Sequence, residues 1–461
     1  MKNTEFESFQ QRYPQRRQAF FGRPYFSRRA FLRGAAGVAG SLMLPSFSTA
    51  ATSPNGATTK NTARNLIFIL MSGGPSHVDT FDLKMIDGVS PAPLGPERVN
   101  GILWPTGLMP KLSTHLGSMA IIRSMRSWAL VHETGQRWVQ VGRNPRNAEG
   151  SVAPHIGSII AREKEIERRP SDSFPPFVAL DVNEAVGSGY FSARYAPLKY
   201  VPAAGGIPDT LHPAGEGAFQ ARLKALADLD GRLRTVGSPL SAGQDVAEFY
   251  DAAVRMVHNP IVERAFRLNA TEAERYGSTA FGNACLVAKQ VLAENQGTRA
   301  VMIRLGGWDS HSNIYSTTAP TSIFGAGKTF DNALSALLAD LKSSGQLEQT
   351  LIVAGGEFGR TPGPLSAAGG RDHYLQQSFV LAGGGIRGGQ VIGATDATGE
   401  ATSEYGWSRD RDVRVEDIEA TIYSALGIDW TKVLDDGPSG PFPLIPHSDK
   451  DLYGPVNELW S

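Results

Sequence analysis

Two short apolar runs constrain the fold of this chain more than any other feature. Each run is rich in branched residues, ends in two glycines and is followed within two residues by polar side chains. Such runs predict buried parallel strands that deliver polar groups to the carboxyl edge of a sheet, where ligands bind in open α/β folds. We therefore expect one joint site from the residues that follow them: Asp309 and His311 after residues 300–307, and Glu357 and Arg360 after residues 350–356.

Helical patterns alternate with strand patterns along the chain. Before the second run, for example, apolar residues recur at helical spacing from Phe330 to Leu341. Alternation of this kind predicts the fold class α/β, a three-layer α/β/α arrangement with a mostly parallel sheet. Further strands are expected at residues 65–71, 118–123, 177–181, 378–382 and 389–393, and helices at residues 154–168, 219–233, 243–257, 272–295 and 415–426.

The first 51 residues differ in character from the rest and are predicted to be a signal peptide. Arg28 and Arg29 are paired and followed by Phe31 and Leu32, then by a short, weakly apolar stretch and a group of small residues. This pattern resembles a twin-arginine export signal; a basic disordered tail is the alternative. We expect export by the twin-arginine machinery to the periplasm or the cell envelope.

Composition limits the partners and the domain organisation. Lys+Arg and Asp+Glu both number 45, so the formal charge is zero and no basic excess favours nucleic acid. Outside the leader no apolar run reaches the roughly 18 residues of a membrane-spanning helix, so no span is expected in the mature chain. Cys285 is the only cysteine, which excludes an internal disulfide. We expect a linker at residues 52–63 and one domain at residues 64–461, with a helical insertion at about residues 215–295.

Carboxylates and imidazoles follow the predicted strands, and these are ligands that a divalent metal such as zinc accepts. The candidate metal ligands are Asp79, Asp309, His311, Glu357, Asp372 and His373. The candidates for catalysis are Thr134 as a nucleophile, His132, and Arg137 and Arg360 as holders of a phosphate or sulfate oxyanion. Structural roles are the alternatives: a helix cap for His77 and Asp79, a packing role for His132, and an ion pair of Arg360 with Glu357 or Asp372.

Five motifs follow the leader in this order: Ser72–Asp79, His132–Gly135, Gly307–His311, Glu357–Pro362 and Gly370–His373. Together they look like the domain-of-unknown-function 1501 family of exported bacterial proteins, which is similar to the sulfatases and the alkaline phosphatase superfamily. The resemblance covers about residues 62–450 and implies a single alkaline-phosphatase-like α/β/α domain. It brings no established reaction with it.

Three departures from the wider superfamily bear on the metal. Ser72 stands where superfamily enzymes usually carry a metal-binding Asp, and a single residue separates Asp309 from His311 where three are usual. The usual Asp-His-Gly motif is here Glu357–Gly359, so that one histidine is replaced by Phe358. The resemblance therefore implies one ion rather than two, with the ligands Asp309, His311 and His373 and with Glu357 nearby.

The expected function is that of an exported metal-dependent hydrolase acting on a phosphate or sulfate ester of a small molecule or glycan. Metal would polarise the ester oxygen, water or Thr134 would attack, and Arg137 or Arg360 would stabilise the developing charge. The alternative is a non-catalytic scaffold that binds a surface glycan or a partner protein. The replacement of the superfamily histidine by Phe358 motivates this alternative.

Overall fold

The computed structural model describes residues 56–182, 186–234, 252–319 and 321–461. The predicted leader, the start of the predicted linker and most of the predicted helix at 243–257 lie outside the described residues.

An eight-stranded sheet forms the centre of the described domain. In chain order, the strands of the described residues are β1 (Asn65–Met71), β2 (Pro96–Val99), β3 (Ile102–Pro105), β4 (Met119–Arg126), β5 (Phe177–Leu180), β6 (Leu198–Tyr200), β7 (Ala300–Leu305), β8 (Thr350–Gly355), β9 (Gly359–Arg360), β10 (His373–Tyr374), β11 (Gln376–Ala382), β12 (Gln390–Ile392), β13 (Ala394–Thr395), β14 (Thr402–Glu404), β15 (Val433–Leu434) and β16 (Phe442–Pro443). The sheet has the order β12-β4-β11-β8-β1-β7-β5-β6. Its neighbouring strands are parallel except in the two pairs that involve β11. The sheet is therefore mostly parallel, with β11 running against the others.

Helices cover both faces of this sheet. In the described residues the α-helices are α1 (His132–Val141), α2 (Ala148–Ser151), α3 (Ile156–Glu163), α4 (Gly215–Arg234), α5 (Pro260–Phe266), α6 (Ala270–Arg275), α7 (Ala280–Glu294), α8 (Ile323–Ser343) and α9 (Val415–Ala425), and residues 252–256 are also helical. None of the helices in the described part of the chain combines the length and apolar character needed to span a bilayer.

Two hydrophobic cores lie on opposite faces of the sheet because side chains alternate along each strand. In β1, Ile67 and Ile69 pack in the core that contains α7 and α8. Leu66 and Phe68, from the same strand, pack in the core that contains α3 and α9. Both cores are nearly inaccessible to solvent. The predicted three-layer α/β/α arrangement with a mostly parallel sheet is thus confirmed.

The helix expected at residues 272–295 is in fact two helices, α6 and α7. Asn269 caps the first by accepting from Glu272 N, and Thr279 caps the second by accepting from Gly282 N. Between them Gly277 has a φ of +96°, a backbone conformation that ends a helix and that glycine adopts without strain. Apolar periodicity continues across the break, which is why the sequence pattern does not reveal it.

Candidate metal centre

The loops that follow several strands of the sheet meet at one edge. Asp309 and His311 follow β7, Glu357 follows β8, and His132 opens α1 after β4. His373 reaches the same edge from the opposite direction, because β10 leads into the reversed strand β11. The parallel strands and the one antiparallel strand therefore deliver side chains to a common place.

Four side chains bring one possible ligand atom each to this place: His132, Asp309, His311 and His373. The four atoms all lie within 4.8 Å of one another. Asp309 Oδ1 is 3.0 Å from His311 Nε2, 3.3 Å from His132 Nε2 and 3.9 Å from His373 Nε2. Three imidazoles and one carboxylate thus lie close enough together to hold one metal ion.

Each of the three imidazoles is held by a hydrogen bond at Nδ1. His132 Nδ1 lies 2.6 Å from Glu357 Oε1, His311 Nδ1 lies 3.0 Å from Asp372 Oδ1, and His373 Nδ1 lies 2.7 Å from the Leu130 carbonyl oxygen. Carboxylate and carbonyl oxygens accept, so Nδ1 of each ring donates, and in the neutral imidazole Nε2 then keeps its lone pair. Histidine ligands of metals are held in this way.

The donor set fits a divalent ion. Ligand atoms around a tetrahedral ion with bonds of 2.0–2.1 Å lie about 3.3 Å apart, and the three distances to Asp309 Oδ1 bracket this value. Nε2 of His311 and Nε2 of His373 lie only 3.0 Å apart, and two lone pairs at this distance repel unless a cation or proton lies between them. His132 Nε2 is buried and has no hydrogen-bond partner, as a nitrogen reserved for an ion would be.

Glu357 and Asp372, which the sequence suggests as ligands, instead contact histidines from behind. Glu357 is fully buried, and its Oε1 also accepts from Gly73 N–H and Gln136 Nε2, each at 2.9 Å. The hydrogen bond to Glu357 raises the pKa of His132, against the opposing effect of burial. At Gly73 a Cβ would lie 2.4 Å from the backbone nitrogen of Asp309. Glycine at this position therefore lets the loop after β1 approach both Glu357 and Asp309 closely.

Arg360 is the buried cation of the site. The guanidinium is fully buried, and its five N–H groups donate to five acceptors: the carbonyls of Gly73, Gly74 and Arg371, the Asp309 carboxylate (Nη2 to Oδ1, 2.6 Å) and His311 Nε2 (3.3 Å). Burial works to raise the pKa of Asp309, but the hydrogen bond and charge of Arg360 outweigh it and hold that pKa low. Arg360 thus pairs with Asp309 rather than with Glu357 or Asp372, and in this arrangement it has no N–H left for a substrate oxyanion.

Asp79 lies in a separate buried network and not among the four ligands. Its Oδ2 accepts from Arg371 Nε at 2.9 Å and from Ser76 Oγ at 2.6 Å, and its Oδ1 accepts from Tyr315 at 2.7 Å. Asp79 and Arg371 are both fully buried. Neither Asp79 nor His77 caps a helix end, because the Asp79 side chain pairs with Arg371 and His77 Nε2 contacts the Gly399 carbonyl at 2.8 Å.

Thr134 and Arg137 lie further along α1 than His132. An α-helix turns by about 100° per residue, so Thr134 lies about 200° around the axis from His132. Its hydroxyl accepts from Arg146 Nε at 3.0 Å. Arg137 Nη2 donates to the Ala153 carbonyl at 3.0 Å. Gln136, by contrast, shares the face of His132 and donates to Glu357.

The sequence interpretation did not include His132 among the metal ligands, and it missed the Leu130 carbonyl and Gln136. The available signal for His132 was its position, since it directly follows another strand that ends at the same edge. No residue type marks a backbone carbonyl such as that of Leu130, so this contact is visible only in the structure.

A family model described as "Protein of unknown function (DUF1501)" matches residues 63–450. No curated protein matches the sequence. Solved structures that resemble this chain include the lipoteichoic acid synthase LtaP from Listeria monocytogenes, with 11% identity, a TM-score of 0.40 and coverage of 84% of this chain and 76% of that one. The PsFucS1 sulfatase from Pseudoalteromonas sp. matches with 14% identity, a TM-score of 0.37 and coverage of 79% and 68%.

An alkaline phosphatase superfamily protein from Vibrio parahaemolyticus matches with 12% identity, a TM-score of 0.37 and coverage of 81% of this chain and 69% of that one. With TM-scores this low, these likenesses say nothing about the activity or the site of this chain.

Proposed function

The chain belongs to the DUF1501 family, and from its own residues we propose that it is an exported metal-dependent hydrolase of a phosphate or sulfate ester. One observation carries the proposal: three imidazole Nε2 atoms and a carboxylate oxygen converge while each imidazole donates through Nδ1 to an oxygen. A divalent ion such as zinc, when bound by His132, Asp309, His311 and His373, supplies Lewis acidity toward the ester and activates water.

The chain's own groups prepare this site. Glu357 orients His132, and Asp372 orients His311. The positive charge of Arg360 offsets the negative charge of Asp309. Phe358 packs against the ligand rings, with centroids 4.9 Å from His132 and 4.4 Å from His373, and so keeps water from their inner side. These contacts hold the ligands in place before a substrate arrives, which is the arrangement that catalysis rewards.

The outer side of the group is open. The side chains of Asp309 and His311 are each 46% exposed, so an ester and a water molecule have access to an ion held there. Structural zinc sites are closed, whereas catalytic sites keep a position for solvent or substrate. The exposure therefore supports a catalytic rather than a purely structural ion.

Ion content and hydrolysis measured together test the proposal. Protein purified after native export should contain about one divalent ion per chain by elemental analysis and should hydrolyse p-nitrophenyl phosphate or p-nitrophenyl sulfate. His373→Ala should lose both ion and hydrolysis while its circular dichroism spectrum stays that of wild type. His115→Ala, which removes a histidine away from this edge, should keep both. A wild-type protein with bound ion but no hydrolysis of either ester would contradict the proposal.

One observation favours the alternative of a non-catalytic binding scaffold. Arg360 donates to Asp309 and to His311 Nε2, so it supplies part of the positive charge that an ion would bring. Part of the negative charge of the site is thus offset without metal. Exported protein that carries no stoichiometric ion after growth with zinc, and that still binds a cell-surface glycan, would support the scaffold over the hydrolase.

A further inference from the structure

A cavity of about 460 Å³ lies beside α1 and is not part of the metal centre. Two tryptophans form one wall: Trp128, in the segment that leads into α1, and Trp138, on α1 itself. Their rings are stacked, with centroids 6.0 Å apart and planes inclined by 22°. Trp128 is 41% exposed, whereas tryptophan is highly buried on average.

Both indoles are fixed by one buried carboxylate. Trp128 Nε1 donates to Glu416 Oε2 and Trp138 Nε1 donates to Glu416 Oε1, both at 3.0 Å. The Arg414 guanidinium lies over the Trp128 ring, 4.0 Å from its centroid. Burial raises the pKa of Glu416 to about 6, so ionisation of this group is costly in the folded protein. Glu416 therefore holds the two aromatic rings rigidly at the cavity wall. Side chains held in place before a ligand arrives make a preorganised binding site.

The cavity lies close to the candidate metal centre along the chain. Leu130 and Val131, which link Trp128 to His132, are 37% and 52% exposed. The Leu130 carbonyl accepts the hydrogen bond from His373. Trp138 is six residues beyond His132, about 9 Å along the helix axis. Two exposed apolar residues thus lie between Trp128 and the ligand His132 in the chain.

The rest of the cavity is polar. Asn144, Asp449 and Lys450 are exposed lining residues, and they offer amide, carboxylate and ammonium groups to a ligand. The combination matches a sugar ring. The tryptophan rings can pack against the apolar C–H face of a sugar, and the polar groups can exchange hydrogen bonds with its hydroxyls. A nucleic acid fits poorly, because the lining has no excess of positive charge for its phosphates: Arg143 is paired with Glu149, and Asp449 offsets Lys450.

We propose that this cavity binds a sugar ring of a glycan whose phosphate or sulfate ester lies at His132, Asp309, His311 and His373. The inference rests on the proposed function for the position of the ester. The binding of the sugar itself needs neither ion nor hydrolysis, so the two proposals can fail separately.

Intrinsic tryptophan fluorescence and calorimetry test the subsite on the mature exported protein. The probes are unesterified methyl glycosides of glucose, galactose, mannose and N-acetylglucosamine and their short oligomers, with adenosine 5′-monophosphate as the nucleotide comparison. At least one glycoside series should bind saturably. Trp128→Ala should weaken that binding at least tenfold while ion content stays that of wild type, and Trp460→Phe, which alters a tryptophan outside the cavity lining, should leave binding unchanged.

Three outcomes would overturn the subsite: no saturable binding of any glycoside, unchanged binding by Trp128→Ala, or tighter binding of the nucleotide than of any sugar. Should Trp128→Ala fail to fold, Asp449→Ala at the exposed rim decides, with at least a threefold loss expected and wild-type affinity counting against the proposal. Sugar binding without any ester hydrolysis would contradict the proposed function and leave the subsite standing. Hydrolysis of p-nitrophenyl esters without sugar binding would do the reverse.

Discussion

Glu357 and His132 are 225 residues apart in sequence and are joined by a hydrogen bond of 2.6 Å between Oε1 and Nδ1. Glu357 is completely buried, whereas 27% of the His132 side chain is exposed. The buried carboxylate also accepts from Gly73 and Gln136, so its own position is fixed. Glu357 therefore sets the orientation and basicity of the His132 imidazole, and it would act on a bound ion only through that ring.

Glu357→Gln should weaken ion binding by 10- to 100-fold, the usual effect of losing a carboxylate behind a histidine ligand. The amide keeps the size of the side chain but is a poorer acceptor for His132 Nδ1–H. Competition with a chromogenic chelator measures the affinity. Asp372→Asn is the matched control, because the Asp372 side chain is 71% exposed and its hydrogen bond is to His311. We expect a smaller loss of ion affinity from this change. A larger loss for Asp372→Asn would show that Glu357 does not have this role.

Arg360→Lys should lower the free energy of unfolding by about 2–4 kcal/mol in ion-free protein, because lysine keeps the charge but cannot reach five acceptors and leaves buried carbonyls unpaired. Urea denaturation with a chelator present measures the change. Arg146→Lys, at an exposed position on the rim, should change stability by less than about 0.5 kcal/mol. Equal stability of the two variants would mean that the Arg360 contacts contribute little.

Glu419 gives the fold a pH dependence that is separate from the metal centre. Burial raises the pKa of Glu419 to about 7 from 4.5, and its Oε2 has no hydrogen-bond partner. The raised value means that the protonated form is favoured in the folded state. Stability from this group is fully present below the unfolded pKa of 4.5 and is lost as the pH rises through 7.

Glu419→Gln imitates the protonated form and keeps the acceptor for Tyr423. The variant should match wild type in stability near pH 4.5 and exceed it at pH 8 by up to about 3 kcal/mol. Denaturant unfolding at both pH values measures the difference, with chelator present so that the metal centre does not contribute. A difference that is independent of pH would contradict the raised pKa.

The leader prediction concerns residues outside the described part of the chain. Changing both Arg28 and Arg29 to Lys should leave the protein in the cytoplasm, because the paired guanidinium groups are the recognised element. Fractionation followed by immunoblotting measures the location. A single change, Arg33→Lys, is the control and should not alter export. Normal export of the double variant would remove the basis for a twin-arginine route.

The sheet could be predicted from sequence because its strands are buried on both faces and read as continuous apolar runs. The runs at residues 65–71, 300–305 and 350–355 need no tertiary information to be recognised. The reversal of β11 could not be predicted, because a strand buried on both faces has the same pattern in either direction. Its direction is set by pairing with β4 and β8, which are distant in sequence.

The residue types alone suggested which side chains bind a metal ion and which bind an oxyanion. The structure gives several of these side chains other roles. Asp79, Glu357 and Asp309 are all carboxylates that follow strands, yet Asp79 pairs with Arg371, Glu357 supports His132 and Asp309 belongs to the ligand group itself. What separates them is the arrangement of loops from other strands, together with backbone carbonyls such as those of Gly73 and Gly74 around Arg360. Neither has a signature in the residues themselves.

The reversed strand β11 has a consequence for biosynthesis. His373 enters the sheet edge just before β11, and the carbonyl that holds it, that of Leu130, is 243 residues earlier. Pairings between segments so far apart form late in folding, because closing long loops costs entropy before any contact is gained. A growing chain that ends before His373 has no complete ligand set, whatever else it has folded. The ligand group can therefore take up an ion only after synthesis has passed His373, and not during the earlier growth of the chain.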